Sequence, residues 1–452
     1  MLVRKIEKNI KIWLENDKKT ALMVTGARQV GKTSLIRSVL SSSSYSYEEI
    51  NFIENPSLIP VFEHLLEAGI DRFVNELSFL VGHEIKKGSI IFLDEVQMCP
   101  TLTTAIKFLV EEGSFRYILS GSLLGVELYS LRSAPVGYLS IIEMFPLDFE
   151  EFLMAFKVSE HIFENIKECF EKNEKVDSAI HSKLIELFYL YLVVGGMPAS
   201  VWEYVNSGAL LNVSNIQKNI IELYKLDFSR YEHDDRKLRL KKIYDLIPSE
   251  LDSKNKRYVF SSIDPNFKFD RYENSFNWLI DAGVVIDIHN VREPMIPLRA
   301  NLESNLMKVF ISDVGLLSQM YGRDTQLKIL AHDSDINNGA IFENYVAQEL
   351  HAHGHLGYYY SQKRYGELDF VIEYDSHALP IEVKSGHEYK THKALDNVMG
   401  VANYNIKEAI VLSTNNVERV GGIRYLPMYM TMFLSRDHRD FPDMKIDMSI
   451  LQ

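Results

Sequence analysis

Two hydrophobic periods alternate along the first 150 residues of the chain. Short runs of consecutive apolar residues are typical of buried parallel strands, and they are separated by segments whose apolar residues recur every three or four positions, as in amphipathic helices. The predicted strands lie at 21–24, 47–53, 89–94, 115–119 and 138–145. This alternation predicts an α/β domain with a parallel sheet at residues 1–148.

Helical spacing dominates the middle of the chain. Residues 149–205 predict a helical lid, with a break at Gly195-Gly196-Met197-Pro198. Residues 215–291 follow the order helix, turn, helix, basic turn and strand, which is typical of a winged-helix fold. We therefore predict a winged-helix-like module and a connector at 206–333.

The C-terminal part returns to the α/β pattern. Helices are predicted at 339–350 and 391–402, among strands at 358–361, 367–374, 379–384, 408–413 and 423–426. We place this domain at 334–452. The sequence thus divides into four segments.

Composition narrows the class of protein. The chain has 452 residues, a formal net charge of −13 and two cysteines, Cys99 and Cys169. The acidic balance argues against a protein that coats nucleic acid indiscriminately, and the cysteine count excludes a disulfide framework. Residues 1–19 are patterned as an amphipathic helix and not as a signal peptide, and the longest apolar run, 187–194, is too short to span a bilayer. We expect a cytoplasmic protein without a membrane anchor.

A glycine-bounded loop follows the first predicted strand and opens the first predicted helix. Its residues are Gly26-Ala27-Arg28-Gln29-Val30-Gly31-Lys32-Thr33, with Ser34 next in the helix. In this context the pattern G-x-x-x-x-G-K-[ST] predicts a phosphate-binding loop, or P-loop, whose backbone N–H groups surround a phosphate chain. Lys32 would contact the β- and γ-phosphates, and Thr33 would bind Mg²⁺. The alternative is a chance match in an ordinary turn.

A second apolar run, at 89–93, ends in the carboxylates Asp94 and Glu95. Parallel strands end at the same edge of a sheet, so this acidic pair is expected beside the P-loop. Asp94 would hold Mg²⁺ through water, and Glu95 would polarise the attacking water. Together the two motifs predict binding of ATP or GTP.

Three further features each allow two interpretations. Ser120-Gly121-Ser122 follows a strand, where Ser122 would either sense the γ-phosphate or belong to a simple turn. Locally, the Gly-Gly-x-Pro step reads as a helix C-cap and stop signal. Basic residues in the winged-helix-like module fit DNA phosphate contacts and a solvated helix face equally well: Lys237, Arg239, Lys241, Lys242, Lys254, Lys256 and Arg257.

The C-terminal domain holds a second group of charged residues. Glu343 lies on a predicted helix, Asp369 on one strand, and Glu382 and Lys384 on one face of the next strand. Buried charges need partners or a metal, so we expect these four to converge. Asp369 and Glu382 on a divalent cation, with Lys384 near the attacking water, would cleave phosphodiesters. The alternative is a structural ion-pair cluster or carboxylates at an exposed sheet edge, because D-x(n)-E-x-K alone is a weak pattern.

Six motifs occur in order along the chain. They are the P-loop, Leu93-Asp94-Glu95, Leu119-Ser120-Gly121-Ser122, Phe145-Pro146-Leu147-Asp148-Phe149-Glu150-Glu151-Phe152, Gly195-Gly196-Met197-Pro198 and Ser312-Asp313-Val314-Gly315-Leu316-Leu317. This order resembles that of the prokaryotic AAA+-like ATP-binding proteins with a C-terminal domain of unknown function. The resemblance covers nearly the whole chain.

The resemblance implies an additional-strand P-loop ATPase domain, a helical lid, a winged-helix-like middle and a C-terminal domain similar to PD-(D/E)xK nucleases. It also implies that Pro198 lies near the adenine. One position departs from the family, since relatives have Gly-Arg where this chain has Gly137-Tyr138. A transition-state arginine therefore cannot be assigned to Tyr138, and Arg116 and Arg132 are neighbours of the site by sequence only.

The leading hypothesis is an ATPase whose nucleotide cycle controls a DNA-directed, nucleolytic C-terminal domain. The alternative is an ATP-dependent switch or interaction protein whose nuclease-like domain is a scaffold that does not cut. We expect ATP and Mg²⁺ as cofactors, with Mn²⁺ as an alternative ion at the C-terminal site. DNA is the candidate partner, and a homo-oligomer formed through the ATPase domain is the candidate assembly.

Overall fold

The structure is a computed structural model that describes residues 2–16, 19–64, 70–121, 137–230, 234–253, 269–333, 338–386 and 388–436. The chain folds into two compact units. Unit 1 comprises 1–159, 186–287 and 308–344, and unit 2 comprises 160–185, 288–307 and 345–452. Neither unit is one continuous stretch of sequence, and the division into four segments stays a prediction.

Unit 1 is built on a five-stranded parallel sheet. Its strands are β1 (Ala21–Thr25), β2 (Tyr47–Asn51), β3 (Ile90–Asp94), β4 (Arg116–Ser120) and β5 (Leu139–Glu143). Their order across the sheet is β2-β3-β4-β1-β5, and every neighbouring pair is parallel. All five strands predicted from the apolar runs are present. Because all of them run in one direction, their carboxyl ends lie along a single edge.

Helices connect these strands. They are α1 (Glu7–Glu15), α2 (Lys32–Ser42), α3 (Ile59–Glu63), α4 (Ile70–Val81), α5 (Pro100–Glu112) and α6 (Phe149–Ala155). One core cluster joins Met23, Leu93 and Leu119 of the sheet to Leu77 of α4 and Ile106 of α5. Burying such side chains stabilises the fold by about 1.5–3 kcal/mol each, so the sheet and its helices form together.

The middle of the chain is helical in the structure, as predicted. The helices that follow α6 are α7 (Glu160–Lys172), α8 (Ser178–Val194), α9 (Pro198–Ser207), α10 (Leu210–Arg230), α11 (Asp234–Asp252) and α12 (Phe269–Asp281). One difference concerns the segment for which we expected helix, turn and helix. Helix α11 continues through Pro248 without a break. The winged-helix-like assignment therefore stays a prediction.

A strand and three helices come next in the chain after β6 (Val285–Val291). They are β7 (Leu302–Ile311), α13 (Val314–Tyr321), α14 (Arg323–Leu330) and α15 (Gly339–Ala352). Strand β7 ends at Ile311, and α13 begins only three residues later, at Val314. Asp313 is the reason, because its carboxylate accepts a hydrogen bond from the Leu316 N–H at 3.0 Å and so caps the helix.

A mixed sheet forms the centre of unit 2. The elements that follow α15 in the chain are β8 (Tyr358–Gln362), β9 (Gly366–Tyr374), β10 (His377–Val383), α16 (Lys393–Met399), β11 (Ala409–Ser413), β12 (Glu418–Val420) and β13 (Ile423–Pro427). The strand order is β12-β13-β11-β10-β9-β8-β6-β7. The five strands predicted for the C-terminal domain are present, whereas its likeness to a nuclease is not shown. Among the described residues, no helix combines the length and apolar character needed to cross a membrane.

Candidate functional site

Three polar side chains meet the Asp94 carboxylate at the carboxyl edge of the unit 1 sheet. The Thr33 hydroxyl lies 3.2 and 3.0 Å from its two oxygens, and Asn51 donates to it at 3.1 Å. Ser120, at the end of β4, also donates to it. Asp94 itself is only 2% exposed. Four separate stretches of the chain thus build one polar centre beside the P-loop, and the strand-end argument had predicted the position of Asp94 in it.

Gly26 lets the P-loop backbone pass directly against the end of β5. Its φ of +124° lies in the left-handed region, and a Cβ atom there would overlap the carbonyl oxygen of Met144. A residue with a side chain is therefore excluded at this position. The loop ends at Gly31, which precedes α2, so the amino end of that helix faces the loop.

Lys32 is folded back onto its own loop. Its ammonium donates to the carbonyl oxygens of Gly26 at 2.7 Å and Ala27 at 2.8 Å. Burial lowers the pKa of Lys32 to about 8, and the carboxylates of Glu95 and Asp94 partly oppose that shift. The charge is therefore present at neutral pH in a site poor in water, where its attraction for a phosphate is strong.

Glu95 occupies a strained backbone position. Its φ of 56° and ψ of 44° are left-handed, which is uncommon for a residue other than glycine. The side chain accepts a hydrogen bond from the amide of Gln97. Strain of this kind persists where the surrounding structure enforces it, and it concentrates at functional sites.

A cavity of about 620 Å³ opens at this edge of unit 1. The P-loop from Arg28 to Ser34 lines it, together with Asp94, Glu95 and Pro198. Pro198 and the P-loop thus line the same cavity, and the contact of Pro198 with an adenine stays a prediction. Ser122, by contrast, lies outside the described residues.

Two residues that line the cavity were not found by sequence reasoning. Arg4 donates to the Val30 carbonyl at 2.8 Å, to the Phe145 carbonyl at 2.6 Å and to Glu151 at 3.1 Å. Trp202, on α9, is 52% exposed. No spacing in the sequence marks either residue, although an exposed aromatic side chain on a cavity wall is suited to stacking on a nucleotide base.

Comparisons with known proteins agree with this geometry. A family profile described as "AAA domain" matches residues 18–153. This part of the chain, which contains the P-loop and Asp94, is therefore similar to AAA domains. Two further profiles, each described as a domain of unknown function, match residues 185–327 and 338–430. No protein with a curated description matches the sequence.

Three solved structures are among those similar to this chain. The Walker-type ATPase of Pyrococcus abyssi is 16% identical, with 71% of this chain and 96% of that one covered at a TM-score of 0.41. RuvB of Thermotoga maritima is 14% identical, with 62% and 87% covered at 0.28. AMPPCP-bound DnaA from Aquifex aeolicus is 14% identical, with 61% and 77% covered at 0.29.

Three of the sequence motifs meet around the Asp313 carboxylate, at a place we call the Asp313 junction. Besides capping α13, this carboxylate accepts a hydrogen bond from the Gly196 N–H at 2.5 Å. The Gly196 carbonyl in turn accepts from the Leu147 N–H at 2.7 Å. Burial raises the pKa of Asp313 to about 6, against the effect of these N–H donors. The junction therefore connects residues 147, 196 and 313, which lie far apart in the sequence.

Of the arginines considered by sequence position, the one that the structure describes does not lie at the phosphate end. Arg116 is the first residue of β4, at the opposite edge of the sheet, and donates to the Leu14 carbonyl at 2.7 Å. Tyr138 donates to Glu111. Arg132 lies outside the described residues.

The C-terminal charged residues find partners close by. Asp369 accepts a hydrogen bond from the Val383 N–H at 2.8 Å. Lys384 donates to Glu382 at 2.7 Å. In unit 1, Glu343 lies 3.9 Å from Lys308. Within the described part of the chain, no group of three or more His, Cys, Asp or Glu residues is arranged to hold a metal ion. The metal-dependent site of Glu343, Asp369, Glu382 and Lys384 stays a prediction.

The basic residues of the winged-helix-like module fall into two sets. Lys237, Arg239, Lys241 and Lys242 lie on α11. Lys254, Lys256 and Arg257 lie outside the described residues. A role in DNA binding therefore stays a prediction.

Proposed function

We propose that the AAA domain binds ATP together with Mg²⁺ and hydrolyses it slowly. The observation that supports this most is the convergence of Thr33, Asn51 and Ser120 on Asp94, beside a P-loop that lines an open cavity. A hydroxyl and a buried carboxylate within about 3 Å of each other suit a hard cation that prefers oxygen ligands.

Each residue of the site has a distinct task in this proposal. The N–H groups of the P-loop and the Lys32 ammonium bind the phosphates. Thr33 and Asp94 hold Mg²⁺, which neutralises phosphate charge when it is bound. Glu95 orients and polarises the water that attacks the γ-phosphate. Pro198 and Trp202 form the wall against which the adenine packs.

Replacing Glu95 by Gln tests this assignment. The substitution keeps the size of the side chain and removes its basicity, so we expect ATP affinity to stay within about threefold of the wild type. Turnover should fall at least about a hundredfold, in line with the usual contribution of a general base. Fluorescent-nucleotide binding and phosphate release measure the two effects.

Glu143→Gln is a matched control for that test. Glu143 ends β5 at the same edge of the sheet and does not line the cavity. It should retain the wild-type rate. Hydrolysis by Glu95→Gln at the wild-type rate would show that another group activates the water.

The nucleotide cycle is proposed to control the C-terminal domain. The contact between Lys384 and Glu382 gives each charge a neighbouring partner. This contact favours the hypothesis of an ATP-dependent switch with a non-cutting scaffold domain. The hypothesis of a nuclease is less favoured. DNA-directed cleavage is the competing hypothesis. Incubation of the protein with single- and double-stranded DNA, ATP and either Mg²⁺ or Mn²⁺ separates the two. Cleavage that Asp369→Ala abolishes would establish the nuclease.

A further inference from the structure

The outer turn of the P-loop is held by a helix that lies almost 200 residues further along the chain. The Arg28 guanidinium forms an ion pair with Asp227 of α10 at 2.5 Å, across 199 residues of sequence. The Tyr224 hydroxyl donates to the Arg28 carbonyl at 3.0 Å. Tyr224 and Asp227 are three residues apart and therefore share one face of α10. One helix face thus holds both the side chain and the backbone of Arg28.

A second element of the same region approaches the neighbouring residue. Gly283, which follows α12, has a φ of +71°, and a Cβ atom there would lie 2.9 Å from the Ala27 nitrogen. Only glycine allows this approach. The turn of the P-loop formed by Ala27 and Arg28 is therefore enclosed by α10 and by the end of α12.

Arg28 also faces the nucleotide cavity. It lines the cavity together with Lys32, and its side chain is 24% exposed, whereas that of Asp227 is 7% exposed. Its positive charge contributes to the lowered pKa of Lys32, which is consistent with two cations close to each other. A guanidinium so placed can contact either the Asp227 carboxylate or a phosphate group in the cavity.

We propose that Arg28 senses the nucleotide by exchanging partners, leaving Asp227 for the terminal phosphate of ATP and thereby removing one of the two contacts that hold α10 to the P-loop. This rests on the ATP binding proposed above. A phosphate chain offers Arg28 a more highly charged partner than one carboxylate, and guanidinium groups bind phosphate oxygens in pairs. The ion pair with Asp227 then opposes ATP binding, and by reciprocity ATP opposes the ion pair.

A double-mutant cycle on the full-length chain measures this competition. In Asp227→Asn the competing charge is gone, so ATP should bind about tenfold more tightly than to the wild type, with a smaller change for ADP. In an Arg28→Ala background the same Asp227→Asn change should have no effect on ATP affinity. Equal ATP affinities for the wild type and Asp227→Asn would overturn the proposal.

Asp245→Asn is the matched control. Asp245 is paired with Lys225 at 2.7 Å in the same helical region and is 51% exposed, but it does not line the cavity. Its loss should leave ATP affinity unchanged. If Asp245→Asn gained as much ATP affinity as Asp227→Asn, the change in net charge alone would explain both gains. That result would also overturn the proposal.

Hydrogen exchange of the wild-type protein tests the proposal without any substitution, so misfolding of a variant cannot affect the result. Backbone amides near residue 227 should exchange faster with ATP bound than without it, because α10 loses a contact. Unchanged exchange in a protein that binds ATP would overturn the partner exchange alone. A wild-type protein that binds no ATP would instead overturn the proposed function.

Discussion

Charged residues at two places in the molecule were expected to form sites, and they are arranged in different ways. At the P-loop, side chains from four distant stretches of the chain meet at Asp94, next to a cavity of about 620 Å³. On β9 and β10, Asp369 contacts the Val383 N–H and Glu382 contacts Lys384. In the first case the groups face a space that a ligand can fill, and in the second they are partnered by immediate neighbours.

Topology explains this difference. The strands of the unit 1 sheet are all parallel, so residues distant in sequence end at one edge. Strands β9 and β10 are antiparallel neighbours, with Leu379 opposite Ile372. Asp369 accepts the Val383 N–H across this pair, and Glu382 contacts Lys384 two residues further along the chain, so no ligand is needed to explain these contacts. Convergence from distant segments is therefore the more informative sign of a site.

The largest effect that would sharpen this comparison is expected at Lys32. Lys32→Ala removes a buried charge that faces the phosphates, and ATP affinity should fall at least about a hundredfold, because a charge-assisted hydrogen bond to phosphate in a dry site contributes several kcal/mol. Isothermal titration calorimetry measures the loss. If Lys32→Ala bound ATP within threefold of the wild-type affinity, the P-loop would not be the ATP-binding site.

The pH dependence of the same interaction checks the charge state. The pKa of Lys32 is about 8 in the free protein, and a bound phosphate would raise it. ATP affinity should therefore be constant below pH 8 and fall by up to about tenfold per pH unit above it. In Glu95→Gln the fall should begin at lower pH, since the Glu95 carboxylate raises the Lys32 pKa.

A smaller effect, on the stability of the fold, is expected at Asp369 in the C-terminal charged group. Asparagine keeps an oxygen that can accept the Val383 N–H, so Asp369→Asn should change the free energy of unfolding by less than about 1 kcal/mol. Alanine removes the acceptor, and Asp369→Ala should cost about 1–3 kcal/mol. Thermal unfolding in EDTA compares the two variants.

Marked stabilisation by Asp369→Asn in EDTA would contradict the conclusion that Asp369 is satisfied by its immediate neighbours. It would mean that Asp369 carries a charge crowded by other carboxylates, as a metal site without its ion requires. A neutral result for asparagine with a loss for alanine fits the hydrogen bond to Val383.

The smallest effect concerns the basic side chains of α11. If Lys237, Arg239, Lys241 and Lys242 contact DNA phosphates, the logarithm of the binding constant should fall linearly with the logarithm of salt concentration, with a slope of about 0.9 per contact. Lys241→Gln with Lys242→Gln should reduce that slope by about 1.8. Fluorescence anisotropy at several salt concentrations measures it. A flat response in the wild type would identify these residues as a solvated helix face.

Residues with a fixed spacing were predictable from the sequence. The P-loop and the Asp94-Glu95 pair were found because their chemistry requires residue types at set intervals, and the sheet-edge rule then placed them together. The same rule could have found Asn51, which is the last residue of β2. The strand had been predicted at 47–53, two residues beyond Asn51, and this difference hid the position of Asn51 at the strand end.

Contacts between distant segments could not be predicted, because no fixed spacing of residues in the sequence marks them. Arg4 and Asp227 are single charged residues in amphipathic stretches, and only the folded chain brings them to the P-loop. Helix α11 differs from the expected order of helix, turn and helix, because it continues through Pro248. A proline weakens a helix without always ending it, and packing of the apolar face can override this local preference.

The Asp313 junction has a consequence for synthesis of the chain on the ribosome. Its hydrogen bond from Gly196 to Asp313 spans 117 residues. At about 5–20 residues per second, roughly 6 to 23 s pass between the appearance of these two residues. During that interval the AAA domain is already translated, but the acceptor for the Gly196 N–H does not yet exist. A nascent chain stalled between these residues should therefore be more open to proteases and chaperones than the finished protein.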